Sequence, residues 1–212
     1  MLLKGKLANY EKRPGLFKNN EYSNIPVNVE WMCNRYFYPS LYLGLDCYSV
    51  KDGDNRILDK DVWDRLLTTH GHSPHMKKKI VEACVAEGIL YFEDEKVILP
   101  IPAPYIKVHP VIVDVLLDRY NDFEVKIYCE IRRLYEYWVK RGVECNFSLG
   151  GKEGLVGNLG YSKYNRGKME EAKKGLERLE KEGLVKLNSV VVKDGGFKGT
   201  YYSIEKVDLI VG

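Results

Sequence analysis

The chain has 212 residues, of which 45% are apolar and 30% charged, and its formal net charge is +3. That apolar content is enough for a buried core. The charge excess is too small for a polycation that holds nucleic acid by bulk charge, so any such binding must come from local patterning. At about 150 residues per domain, the length fits one large domain or two small ones.

The opening Met1-Leu2-Leu3-Lys4-Gly5-Lys6 turns polar at once and lacks the apolar region of a secretory signal. No stretch approaches the ~18 apolar residues of a spanning helix. Cys33, Cys47, Cys84, Cys129 and Cys145 are scattered, with no C-x-x-C pair. Reduced thiols in a cytoplasmic protein, with no membrane contact, are the expectation. Lys+Arg and Asp+Glu balance at 14 each over residues 1–104, but stand at 19 and 16 over 105–212. The whole excess lies in the second half, which points to it as the anion-binding unit.

In chain order, residues 1–27 read as a polar arm broken by Pro14 and Pro26. Residues 28–99 read as a first domain. It opens with an apolar helix near Glu30 to Leu43, followed by a charged loop from Lys51 to Arg56. Asp59 then caps a helix carrying Val62, Trp63, Leu66 and Leu67. His70-Gly71-His72-Ser73 is a turn. Ser73 caps the next helix, Pro74 stands at its first position, and Gly88 ends it. Ile89–Phe92 and Lys96–Leu99 flank a turn at Glu93-Asp94-Glu95. Residues 100–104, with Pro100, Pro102 and Pro104, read as a semi-rigid linker.

Residues 105–212 read as the second domain. A long helix starts at Asp122 as its cap and stops at Gly142. Glu144 to Leu149 alternates like a short strand. Gly151 to Leu159 is a short helix, Gly160-Tyr161-Ser162 a turn, and Ser162 to Glu182 a helix capped by Ser162. Its apolar stripe is Met169, Ala172, Leu176 and Leu179, and Gly183 stops it. Two strands, Leu184–Val192 and Lys198–Ile204, flank a turn at Asp194-Gly195-Gly196.

The order helix, strand, helix, turn, helix, hairpin is that of a winged helix-turn-helix. The first half repeats it. Gly71-His72-Ser73 matches Gly160-Tyr161-Ser162, and Ala86-Glu87-Gly88-Ile89-Leu90 matches Lys181-Glu182-Gly183-Leu184-Val185. Glycine to glycine is 17 residues in the first half (71 to 88) and 23 in the second (160 to 183). The extra six residues lengthen the second helix or loosen its start. The expected fold is α+β, mostly helical, with two tandem winged-helix domains.

Phe123-Glu124-Val125-Lys126-Ile127-Tyr128, Phe147-Ser148-Leu149, Leu159-Gly160-Tyr161-Ser162 and the run Leu176 to Val185 together resemble winged-helix proteins of mobile elements. These include phage replisome organisers, plasmid replication initiators and the N-terminal domains of primosomal loaders. The resemblance spans about residues 110–210 well and 28–100 loosely. It implies double-stranded DNA as partner, no catalysis and no cofactor. The implied task is replication initiation or replisome loading, in company with replication or transcription proteins.

A recognition helix reads the major groove mainly with its first residues. Here those are Ser162, Lys163, Tyr164, Asn165 and Arg166, with Lys168 and Lys174 further along. Arg pairs with guanine and Asn with adenine through two bonds each. Lys193 and Lys198, near the hairpin turn, suit the DNA backbone. Ser73, His75, Lys77 and Lys78 form a second candidate contact at a helix N-terminus, opposed by the acidic Glu93-Asp94-Glu95. The aromatics Trp31, Tyr36, Phe37, Tyr38, Tyr42, Tyr135, Tyr137 and Trp138 fall on the first helix of each half. They are core, with a surplus that can serve a homodimer, pack the two halves together or stack on single-stranded bases. Three rival functions stay open: a transcription regulator, a protein-interaction adaptor without DNA binding, and a metal-dependent nicking nuclease built on His70 and His72. The histidine pair flanks Gly71 in a turn rather than lying on a strand, and it has no helical i, i+4 spacing.

Overall fold

The computed structural model describes residues 25–27, 30–34, 36–69, 73–100, 106–151, 154–194 and 197–208. It is an α+β protein that divides into two compact units. The first comprises Met1–Trp31 and Tyr36–Asp122, the second Met32–Arg35 and Phe123–Gly212. The boundary therefore falls at 122/123 and not at the proline-rich stretch 100–104. The reason lies in two elements after the prolines. Strand β6 (Ile106–Val108) pairs antiparallel with β1 (Ile25–Val27). Helix α4 (Pro110–Arg119), which buries Ile112, Val113 and Leu116, packs on α1 (Pro39–Tyr48). Residues 25–27, expected to belong to the arm, are thus a strand. The rest of the arm through residue 24 lies outside the described residues, as do 101–105.

The first unit differs from expectation at its start. The segment Glu30–Cys33 is a single 3-10 turn, and the α-helix begins only at Pro39. Proline supplies no N–H and is suited to a first helical position. Trp31, Phe37 and Tyr42 pack ring against ring, with centroids 5.1 to 6.0 Å apart. Asp122, expected to cap its own helix, serves α1: its Oδ1 accepts from the Ser40 N–H at 3.0 Å and the Ser40 hydroxyl at 2.8 Å. This satisfies one of the free donors at the start of α1 with a negative charge. The charged stretch 51–56 is a hairpin rather than a loop, formed by β2 (Val50–Asp52) and β3 (Asn55–Asp59). Helix α2 (Lys60–Thr69) buries Val62, Trp63, Leu66 and Leu67. Helix α3 (Pro74–Ala86) buries Ile80 and Cys84. Strands β4 (Tyr91–Glu93) and β5 (Lys96–Pro100) complete a sheet of order β2-β3-β5-β4.

The second unit is built on α5 (Asp122–Tyr137), whose residues Phe123 to Ile131 are all buried. A helix enclosed on every side must carry its charges in pairs. Glu124 accepts from Arg178, Glu130 from Arg133 and Asn158, and Lys126 donates to the Asn34 carbonyl at 2.9 Å. Asp208 accepts from the Tyr128 hydroxyl at 2.5 Å and pairs with Arg132. A 3-10 turn, Val139–Arg141, ends at Gly142. Strand β7 (Asn146–Ser148), helix α6 (Leu155–Asn158) and helix α7 (Arg166–Lys181) follow, then β8 (Val185–Asp194) and β9 (Phe197–Val207). The sheet order is β7-β9-β8.

The two units share a local motif with one physical cause. Gly88 and Gly183 both stand in the left-handed region, at φ +65 and +74. Gly88 N–H donates to Val85 and Ile89 N–H to Cys84; Gly183 N–H donates to Glu180 and Leu184 N–H to Leu179. This is the same Schellman closure at both helix ends, each turning a buried aliphatic residue back onto the core. Around it, β3-α2-α3-β4-β5 and β7-α6-α7-β8-β9 follow one order, with the last strand central in each three-strand set. The six-residue excess divides evenly. Helix α7 has 16 residues against 13 in α3, and it starts six residues after Gly160 where α3 starts three after Gly71.

Candidate functional site

The turn before α7 carries two exposed cations, Lys163 and Arg166. Gly160 closes α6 at φ +80. A Cβ there would collide with the Cys33 carbonyl, so only glycine lets the 32–35 segment lie against this turn. Residues 162–164 do not begin the helix as expected. They form a turn closed by Asn165 N–H to the Ser162 carbonyl at 2.9 Å. The cap is Asn165, whose Oδ1 accepts from Lys168 N–H at 3.0 Å. That bond commits one of the oxygen's two lone pairs to the backbone and holds the side chain at the helix start. Asn165 is therefore the structural cap of α7.

This correction redistributes the expected contacts. Lys163 and Tyr164 precede the helix on an exposed turn, with Tyr164 71% exposed and the Lys163 amine 5.1 Å from its ring centre. Arg166 is exposed on the first helical residue, and Lys174 is exposed two turns on. Lys168 is not available. Its amine lies 4.2 Å from the Phe123 ring centre, 5.0 Å from that of Tyr161, and 2.6 Å from Glu171 Oε2. It also neutralises one of the two carboxylates that oppose an anion here. The other, Glu170, is exposed. Ala172, Leu176 and Leu179 are buried as expected. Met169 is only half buried, and Gly175 completes the stripe by letting Ile127 approach.

Strands β8 and β9 pair from Val185↔Val207 to Asp194↔Phe197. At about 3.3 Å per residue the hairpin spans roughly 30 Å. Its base joins the core, and the following stretch is exposed. Strand β7 reaches no further than Tyr201, and Val190, Val191 and Val192 are 60, 53 and 40% exposed. Lys193 and Lys198 pair in register one step before the end. The turn residues Gly195 and Gly196 lie outside the described residues.

Between the hairpin and the turn lies an open cleft of about 660 Å³, which was not expected. Its walls include Phe147, Gly150, Lys163, Tyr164, Met169 and Tyr201. The pairing of Ser148 with Tyr201 brings the two sides together. No local sequence signal could have announced it, because its walls come from three stretches far apart in the chain.

In the first unit, the second candidate contact is dispersed. The Ser73 hydroxyl is spent as the cap of α3, accepting from Met76 N–H at 3.3 Å. Lys77 donates to Thr68 at 3.3 Å, Lys78 lies 3.8 Å from Glu82, and the Lys79 amine sits over the Tyr36 ring at 5.8 Å. His75 is exposed beside them. Glu93, Asp94 and Glu95 are all exposed at the β4–β5 turn. His70, Gly71 and His72 lie outside the described residues. Among the described residues no group of three or more His, Cys, Asp or Glu is placed to hold a metal, and no helix is long and apolar enough to cross a membrane.

Set against known proteins, the chain matches no family model, no curated protein and no solved structure.

Proposed function

We propose that residues 123–208 act as a winged helix-turn-helix that binds duplex DNA. The observation that carries the reading is the exposed basic turn, Lys163 to Arg166, at the start of α7 and within the same unit as a projecting hairpin. In this reading α6 and α7 are the helix-turn-helix pair. Arg166 meets base edges, and Lys163, Tyr164 and Lys174 hold phosphates. The N-terminal amides of α7 add a favourable end for an anion. Lys193 and Lys198 bring the hairpin tip to the backbone. Gly167, exposed in the first turn, allows close approach.

The first unit carries the same strand and helix order, and we assign it as a divergent second winged helix. Its lysines are spread over different partners and its hairpin tip is acidic. Both features favour a protein partner over DNA there. The biological task we propose is replication initiation or replisome loading on a mobile element, as the resemblance implies.

The test is amide hydrogen exchange with and without a mixed-sequence 20-base-pair duplex at low salt. New protection at residues 160–174 and at the end of the β8–β9 hairpin supports the reading. Protection confined to α3, or none, contradicts it.

A further inference from the structure

We propose that the cleft between the hairpin and the Lys163–Tyr164 turn accepts an unpaired nucleobase, so that the protein prefers locally opened DNA to a fully paired duplex. This rests on the DNA-binding reading above. Contact with intact duplex needs a basic surface and groove-reading side chains, and it has no use for an apolar recess. Yet the recess is there, about 660 Å³ in volume, within the range of small-molecule sites. Its walls carry three aromatic rings and a thioether: Phe147, Tyr164, Tyr201 and Met169.

Two of these rings are not needed by the core. Tyr164 is 71% exposed and Tyr201 38%. Phe147 is buried and stacked on Tyr202 at 5.5 Å, which fixes it as a rigid wall. Flat aromatic faces of this kind bind bases irrespective of sequence.

Charge selects the occupant. Among the described residues, Lys163 is the only charged side chain on the walls, and no carboxylate lines them. Arg166 is exposed three residues on. An apolar recess with a cationic rim fits a ligand with a flat apolar body and a phosphate, which is a nucleotide extruded from the strand. The cost of unstacking is lowest where the base is already unpaired, so the preference falls on bulges and melted sites.

The experiment compares three ligands by fluorescence anisotropy with the full chain: a paired duplex, the same duplex with one bulged thymidine, and the same duplex with an abasic bulge. Stacking of one base predicts at least about fivefold tighter binding of the thymidine bulge than of either other ligand. Tyr201→Val, which keeps a strand-forming residue, removes that gain and leaves duplex affinity within twofold. Equal affinity for the thymidine and abasic bulges overturns the proposal while leaving duplex binding in place. Absence of binding to all three ligands removes the DNA-binding reading and this proposal with it. Anilinonaphthalene sulfonate bound in the cleft and undisturbed by bulged DNA makes it a small-molecule pocket, which also overturns the assignment.

Discussion

Asn165 and Ser162 stand three residues apart, and either has the chemistry of a helix cap. The structure gives the role to Asn165, which accepts from Lys168 N–H. Asn165→Ala is therefore expected to destabilise the fold by about 0.5–2 kcal/mol. Ser162→Ala is expected to cost less than about 0.5 kcal/mol, as an exposed surface change. Urea melts of both variants check this. The neighbouring basic residues separate in the same way. Arg166→Ala is expected to weaken duplex binding by about 1–3 kcal/mol, the worth of one base-reading contact. Lys168→Ala is expected to act on stability, because its amine is held by Phe123, Tyr161 and Glu171. Sequence alone offers Lys163, Asn165, Arg166 and Lys168 alike as DNA contacts. Their division into one cap, one internal prop and two exposed contacts depends on where the helix begins, and a one-turn shift in that start reassigns every role.

Helix α5 is buried along residues 123–131. Buried groups along it pair with Arg178, Arg133, Asn158 and Asp208. Asp208→Ala leaves the Tyr128 hydroxyl and the Arg132 guanidinium without this carboxylate. The expected loss is about 2–4 kcal/mol by urea melt. The same helix sets the alkaline limit. Burial pushes the Cys129 thiol from its ordinary 9.0 up to about 12, and Cys84 in α3 likewise. Burial, then the charge and hydrogen bond of Asp208, raise the Tyr128 phenol well above its ordinary 10.0. All three groups stay protonated in the folded state longer than in the unfolded one. Their contribution is fully present below about pH 9. It is lost as pH rises from there toward 12, by up to about 1.4 kcal/mol per pH unit for each group. Urea midpoints measured from pH 7 to 11 are expected to hold first and then fall. A flat profile up to pH 11 would contradict this. Elements closed by local chemistry were readable in the sequence: the Ser73–Pro74 start, the Gly88 and Gly183 stops and the β8–β9 pair all appear where expected. Helix α4 was not anticipated, and neither was the β2–β3 hairpin nor the pairing of β1 with β6. These depend on partners distant in the chain, and short charged or apolar runs such as 50–59 and 110–119 do not announce such partners.

For the whole molecule, the repeat is the main organising fact. One order of strands and helices, closed by the same glycine motif, occurs in both units. The α+β class was legible because glycine and proline punctuate it. The division at Asp122 was not, because three prolines in five residues look like a linker even when a strand and a helix beyond them return to the first unit. The candidate site was legible as a charge excess and a turn, but the apolar cleft beside it was not. The claim on which the account turns is that the second unit's exposed cations bind duplex DNA. The decisive measurement is duplex affinity by anisotropy from 50 to 200 mM salt, for the natural chain and for Lys163→Ala/Arg166→Ala. Affinity is expected to fall steeply with salt, and the variant to bind more weakly with a shallower salt slope, by about one unit per lost phosphate contact. Absence of binding at 50 mM salt, or a variant that binds as the natural chain does, would contradict it.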